Sequence, residues 1–253
     1  MEISERSWQR FIDALRKVND TAAEKIREYL RRNGMPTTQE AVNALIDYAY
    51  SVSMVYGEAA AELAAEMYDT VAVLSEVFVE TAIPAATPEI GEVAKTIVGT
   101  LKTGSEEIVS AAIGRLVKQT GVDTTMQNAL RDGAEWAWIP HGDTCAFCIT
   151  LASNGWQRAS KKALKNGHAE HIHANCDCTY AVRFNRNTNV AGYDPDVYRE
   201  MYYGAEGNTP TQRINSMRRE IYAENSEEIN AQKRSAYAKR VERESSAAEE
   251  LDV

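Results

Sequence analysis

All four cysteines of this 253-residue chain fall between positions 145 and 178, and three of its four histidines lie in the same window. The segment reads Cys145-Ala146-Phe147-Cys148, then a long insert, then Cys176-Asp177-Cys178, with His171 and His173 just ahead of the second pair. A two-residue spacer lets one tight turn present two thiolates to the same ion, and zinc favours four soft or borderline ligands in a tetrahedron. Five residues therefore compete for four positions: Cys145, Cys148, His173, Cys176 and Cys178. One of the five is expected to stand beside the metal as an orienting neighbour. Two disulfides are the competing use of four cysteines, but they belong to oxidising compartments, and no basic and apolar leader precedes the chain. A cytosolic start and metal ligation are the expectation. A structural zinc ion would supply about 10–16 kcal/mol of apparent binding free energy to a segment with few core residues of its own.

A catalytic zinc is the alternative chemistry. Zinc deaminases pair a His-x-Glu with a following Pro-Cys-x-x-Cys, and this chain contains His168-Ala169-Glu170. Here, however, the Cys-x-x-Cys comes first and follows Pro140-His141-Gly142-Asp143-Thr144, without a proline directly before it. Four protein ligands also close the position that an attacking water needs. A hydrolase or deaminase using Glu170 is thus the runner-up, and a host zinc adaptor is a third reading. No catalytic triad, phosphate loop or nuclease motif is found, so the chain is read as non-enzymatic.

The rest of the chain is read as mainly α. Trp8, Phe11, Ile12, Leu15, Ala22, Ile26, Tyr29 and Leu30 recur at three- and four-residue spacing, which predicts an amphipathic first helix stopped by Gly34 and Pro36. Thr37 or Thr38 caps a second, unusually long helix, whose apolar positions run from Ala41 to Phe78, with a kink expected at Gly57. Thr87-Pro88 reads as a cap followed by proline at the first helical position. Helices are then expected over 88–102, 105–119 and 124–132, punctuated by Gly104 and Gly121. Alternation in Trp136–Ile139 and in 178–184 predicts two short strands that pair and bring the two cysteine knuckles together. Beyond Asn185 the chain reads as loop interrupted by Pro195 and Pro210. A charged helix over 211–245 follows, with Ile214, Met217, Ile221 and Tyr222 as its apolar stripe, sitting loosely on the body or on another chain. The expected organisation is an elongated acidic helical bundle (1–135), a small α+β zinc-knuckle module with a short β-hairpin (136–185), and a loop with a helical C-terminal tail (186–253).

Charge narrows the partners. The net charge is −9, and twelve acidic against two basic side chains lie between residues 37 and 107. Such a body repels phosphate, so extensive nucleic-acid binding through it is not expected. Arg158, Lys161, Lys162 and Lys165 form the one concentrated basic stretch, read as a solvated face. Trp136, Trp138 and Trp156 are read as packing around the module. The cluster Tyr193, Tyr198, Tyr202 and Tyr203 is read as core, with an interface anchor as the alternative.

The run Asp143-Thr144-Cys145-Ala146-Phe147-Cys148-Ile149-Thr150-Leu151-Ala152-Ser153-Asn154-Gly155, closed by His173-Ala174-Asn175-Cys176-Asp177-Cys178, resembles the C-terminal signature of tailed-bacteriophage minor head proteins, the Mu F-like head morphogenesis family. The likeness is specific over residues 136–184 and elsewhere is one of arrangement only. Proline often follows the histidine in that family and arginine often separates the last two cysteines; Ala174 and Asp177 stand there in this chain, and every candidate ligand is retained. The resemblance implies a minor capsid protein inside the virion, made in the host cytoplasm, associated with the portal or the major capsid protein, with at most peripheral contact with packaged DNA. It implies neither a membrane nor a small-molecule substrate. It also favours His173 over His171 as a ligand.

Overall fold

The computed structural model describes residues 2–102, 105–141, 144–160 and 178–227, together with 230, 231 and 234. It is mainly helical with a small sheet. In chain order the elements are β1 (Glu2–Ile3), α1 (Glu5–Asn33), α2 (Gln39–Leu74), α3 (Ile90–Leu101), α4 (Glu106–Asp132), β2 (Glu135–Ile139), α5 (Ala146–Ala152), β3 (Gln157–Arg158), β4 (Thr179–Arg183), β5 (Asn189–Val190), α6 (Pro195–Gly204) and α7 (Pro210–Glu224).

The first helix forms as its periodicity dictates. Ser4 caps it by accepting from the Ser7 amide, Gly34 ends it at φ +75°, and Trp8, Ile12, Leu15, Ala22, Ile26 and Leu30 are its buried stripe. Thr38 caps α2 through the Ala41 amide. That helix stops at Leu74, four residues short of Phe78, the last position of its expected stripe. The stop is a Schellman motif: Glu76 adopts φ +53°, its amide donates to Val73 O, and the Val77 amide donates to Ala72 O. Glutamate is not a residue that advertises a left-handed cap, so the stop is not legible from composition. Phe78 consequently leaves the helix and is 99% exposed.

Gly121, read as punctuation, and Gly57, read as a kink, are contact points instead. α4 runs unbroken from 106 to 132, so the expected pair of helices over 105–119 and 124–132 is one helix. A Cβ on Gly121 would stand 3.1 Å from the Ala60 carbonyl oxygen of α2, and one on Gly114 would stand 3.3 Å from Asn19 O of α1. Absent side chains there let three helix backbones approach closely. Gly57 likewise sits inside an uninterrupted α2, where a Cβ would meet the Thr87 methyl at 3.1 Å. Thr87 therefore packs, and it does not cap α3. That helix begins at Ile90 with Glu89 at the cap and no side-chain cap bond.

Residues 75–89 form an extended strap that returns along the bundle and is held by side chains. Ala82 N donates to Asp69 Oδ1 at 2.9 Å, Ile83 is clasped on both its N–H and C=O by Asn128, and Ala85 N donates to Thr124 Oγ1 at 2.9 Å. Arg131 donates to the carbonyls of Glu80 and Thr81. These bonds replace the partners that an isolated extended backbone lacks.

The sheet orders β3-β2-β4, both pairings antiparallel, so the expected two-stranded hairpin carries a third short strand. Trp136 faces Val182, Trp138 faces Tyr180 and Ile139 faces Thr179. A second, two-stranded sheet pairs β1 with β5 in parallel. One core joins the ends of the long helices to the sheet: Trp8, Ile12, Tyr68, Val71, Met126 and Ala129 cluster with Trp136, Trp138, Tyr180, Val190 and Tyr193. A second core, built on Leu15 to Leu30, Leu45 to Ala60, Val93, Ile97 and Val109 to Val117, fills the other end of the bundle.

The two prolines read as interruptions are helix starts. Pro195 opens α6 behind Asp194, and Pro210 opens α7 behind Thr209, which forms a capping box with Gln212. The apolar stripe of α7 is not loose. Met217, with Ile214 and Ile221, packs against Ala146 and Ile149 of α5, while Tyr222 remains 44% exposed.

Candidate functional site

The three described cysteines approach one core from two parts of the chain. Cys145 occupies the cap position of α5 and Cys148 lies one turn later in the same helix. Cys178 immediately precedes β4, whose pairing with β2 sets it opposite the end of that strand. Cys148 and Cys178 are buried and Cys145 packs against the same cluster. The backbone N–H of His141 donates to Cys178 Sγ at 3.3 Å, and the thiol returns toward His141 O at 3.8 Å. An amide aimed at sulfur stabilises a thiolate, which is the form that binds metal.

The surroundings are aromatic and buried. Tyr180 stacks edge-on against both Trp136 and Trp138, with ring centroids 4.7 Å apart in each case. Burial, reinforced by the nearby Cys148 thiol, pushes the Tyr180 phenol well above its usual range. Burial does the same at Tyr198, which lies within electrostatic reach of Cys178. Neutral phenols line this side of the site, so charge on the sulfurs must be met by amides or by a cation. Arg183, ion-paired with Glu135, covers the Trp156 ring at 4.7 Å. All three tryptophans thus take packing positions.

His173 and Cys176 lie outside the described residues, as do His168, Glu170, His171 and the three lysines of the basic stretch. Among the described residues no group of three or more His, Cys, Asp or Glu side chains is arranged to hold a metal ion. The zinc-knuckle module is therefore not shown as such. Its strand pairing is, and Cys145, Cys148 and Cys178 all pack into or against the same core. His141, which is not among the five candidate ligands, touches Cys178 through its backbone, and Gln9 Nε2 lies 3.3 Å from its Nε2. The register of β2 against β4 was the available signal, since continuing it sets residue 140, the neighbour of His141, opposite residue 178.

The tyrosine cluster divides. Tyr193 is buried and donates to Ala152 O at 2.9 Å, so it clamps the end of α5. Tyr202 packs against the α5–α7 cluster, whereas Tyr203 is 65% exposed under the Arg213 guanidinium. No described helix is long and apolar enough to cross a membrane. No curated protein and no solved structure matches the chain. Residues 2–205, which take in the helical body, the sheet and all five candidate ligands, match the VG15 protein family. With that span covering most of its length, the chain belongs to the VG15 family, a viral (phage) protein family.

Proposed function

We propose that this chain is a non-enzymatic minor capsid protein of a phage or prophage, acting in head morphogenesis beside the portal or the inner capsid surface, with one structural zinc ion. The observation that carries the reading is the family match over residues 2–205, which suggests a phage structural or virion-related protein. The cysteine signature that resembles minor head proteins lies inside that span. Cys145, Cys148 and Cys178 would supply three thiolates, and His173 or Cys176 the fourth position. Cys148 and Cys178, drawn from two chain segments and buried in one core, with a backbone amide already on Cys178 Sγ, suit that donor set. The metal would act as a cross-link between the start of α5 and the start of β4. The acidic bundle suits a protein that lies near packaged DNA without adhering to it.

Two measurements test this. Mass spectrometry of purified particles is expected to detect the protein; its absence from particles that package DNA normally would remove the capsid role. Metal analysis of protein purified without added zinc is expected to give about one zinc per chain, and a well-folded metal-free preparation would remove the zinc site.

A further inference from the structure

The strap carries a feature that neither core nor metal site uses. Phe78 is 99% exposed, and Val73 and Ile83, 76% and 63% exposed, lie five residues to either side in sequence. A single exposed apolar residue is ordinary, but a phenylalanine held wholly in solvent by a fixed backbone is not. The strap is fixed on both sides of it. The turn at Ser75 is tied to the 185–188 turn by the Ser75–Thr188 hydroxyl contact at 3.1 Å, and residues 80–85 are bonded to Asp69, Thr124, Asn128 and Arg131. These bonds hold the backbone that carries Phe78 away from the body. Its backbone is held in place before any partner arrives, which lowers the cost of seating the ring as an anchor.

Elsewhere on the same chain, α1 and α2 leave a groove of about 260 Å³ between them. Phe11, Ala14, Leu63 and Met67 form its apolar lining, and Arg10 and Glu66 stand at its edge. The space accommodates one aromatic side chain. Among the described residues Arg10 makes no ion pair, and the strap flanks Phe78 with two exposed carboxylates, Glu76 and Glu80. Knob and groove thus match in size and in apolar character, and Arg10 is the cation at the groove that can meet Glu76 or Glu80, with Glu66 on the same edge acting against it.

We infer that this protein self-associates by seating Phe78 of one copy in the α1–α2 groove of a second copy, with Arg10 of the receiving copy facing Glu76 or Glu80. A contact between two different patches of one chain can build rings or chains of subunits, and reciprocal use of both patches builds a dimer.

The test uses the full chain in sedimentation velocity over a concentration series, with three proteins. Wild type is expected to associate reversibly. Phe78→Asp removes the knob at a position with no neighbours to disturb, and is expected to weaken association by roughly tenfold or more. Ala14→Trp fills the groove and is expected to do the same, with unchanged circular dichroism confirming that it folds. Mixing the two variants is expected to restore a one-to-one complex, since one retains the groove and the other the knob. A wild-type protein that stays monomeric throughout its soluble range overturns the inference. So does association that Phe78→Asp leaves intact, which would place the contact elsewhere.

Discussion

Asn128 is one of six buried polar or charged side chains in α4, and it is fully used: it accepts from Ile83 N at 2.9 Å, and donates to Ile83 O and to its own helix at Thr124 O. Replacing it by alanine leaves both backbone groups of Ile83 without a partner. Asn128→Ala is expected to cost about 1–3 kcal/mol in chemical denaturation, the range for stranding buried polar groups. Beside it, Asp132 receives Arg131 through two bonds of 2.7 Å and the Tyr68 hydroxyl at 2.7 Å. The guanidinium first, and then the phenol, hold its carboxyl below the ordinary range, against the opposing effect of burial. A depressed folded value means that the stabilisation is fully present above the unfolded pKa of about 3.9 and is lost as pH falls through the folded one. Asp132→Asn is therefore expected to flatten the acid limb of the stability–pH curve below about pH 4; an unchanged limb would show that the carboxylate is not linked to folding. None of these partners was legible in the sequence, because Asn128 joins α4 to a strap whose backbone carries no periodic signal, and Asp132 joins it to Tyr68 of α2, 64 residues away in the chain. The Glu76 turn that launches the strap was hidden for a related reason: its left-handed residue is not the glycine that such a cap usually takes.

At the scale of elements, what the sequence made plain was periodicity. The stripe of α1, the Thr38 cap and the alternation that pairs β2 with β4 all appear where expected, since each depends on neighbours within a turn or two. Glycine was the weak point, because the same residue type ends helices and lets them touch. Gly99 and Gly121 separate the two roles. Gly99 lies exposed within α3 with nothing within 4 Å of its would-be Cβ, so Gly99→Ala is expected to stabilise the protein by about 0.5–1 kcal/mol through lower backbone freedom in the unfolded chain. Gly121→Ala must push the α2 backbone at Ala60, and is expected to destabilise by about 1–3 kcal/mol. Thermal melts of the two variants should shift in opposite directions. A stabilised Gly121→Ala would mean that α2 and α4 separate without penalty. Pro195 and Pro210 were legible in principle, for each follows a capping residue, Asp194 or Thr209, and opens a helix.

Over the whole molecule, the candidate site is inseparable from the bundle, and this was the least legible feature because it depends on which distant surfaces meet. The β1–β5 pair has two residues per strand, too few for any pattern, yet it fastens the N-terminus to the segment after β4. The first core then holds Ile3, Trp8 and Ile12 from the start of the chain, Tyr68 and Val71 from α2, Met126 and Ala129 from α4, and Cys148, Cys178 and Tyr180 from the candidate site. Unfolding the cysteine region alone would expose the apolar ends of three long helices. At about 25 cal/mol for each Å² of apolar surface, that exposure opposes independent melting. The protein is therefore expected to melt as one cooperative unit. Tryptophan fluorescence reports the first core, because Trp8, Trp136 and Trp138 are buried in it. Far-ultraviolet circular dichroism reports all the helices, including those packed in the second core. The two denaturation curves are expected to coincide. A fluorescence transition that precedes the loss of helix would show the sheet and its cysteines releasing first, and with them the premise that the helical bundle holds the site together.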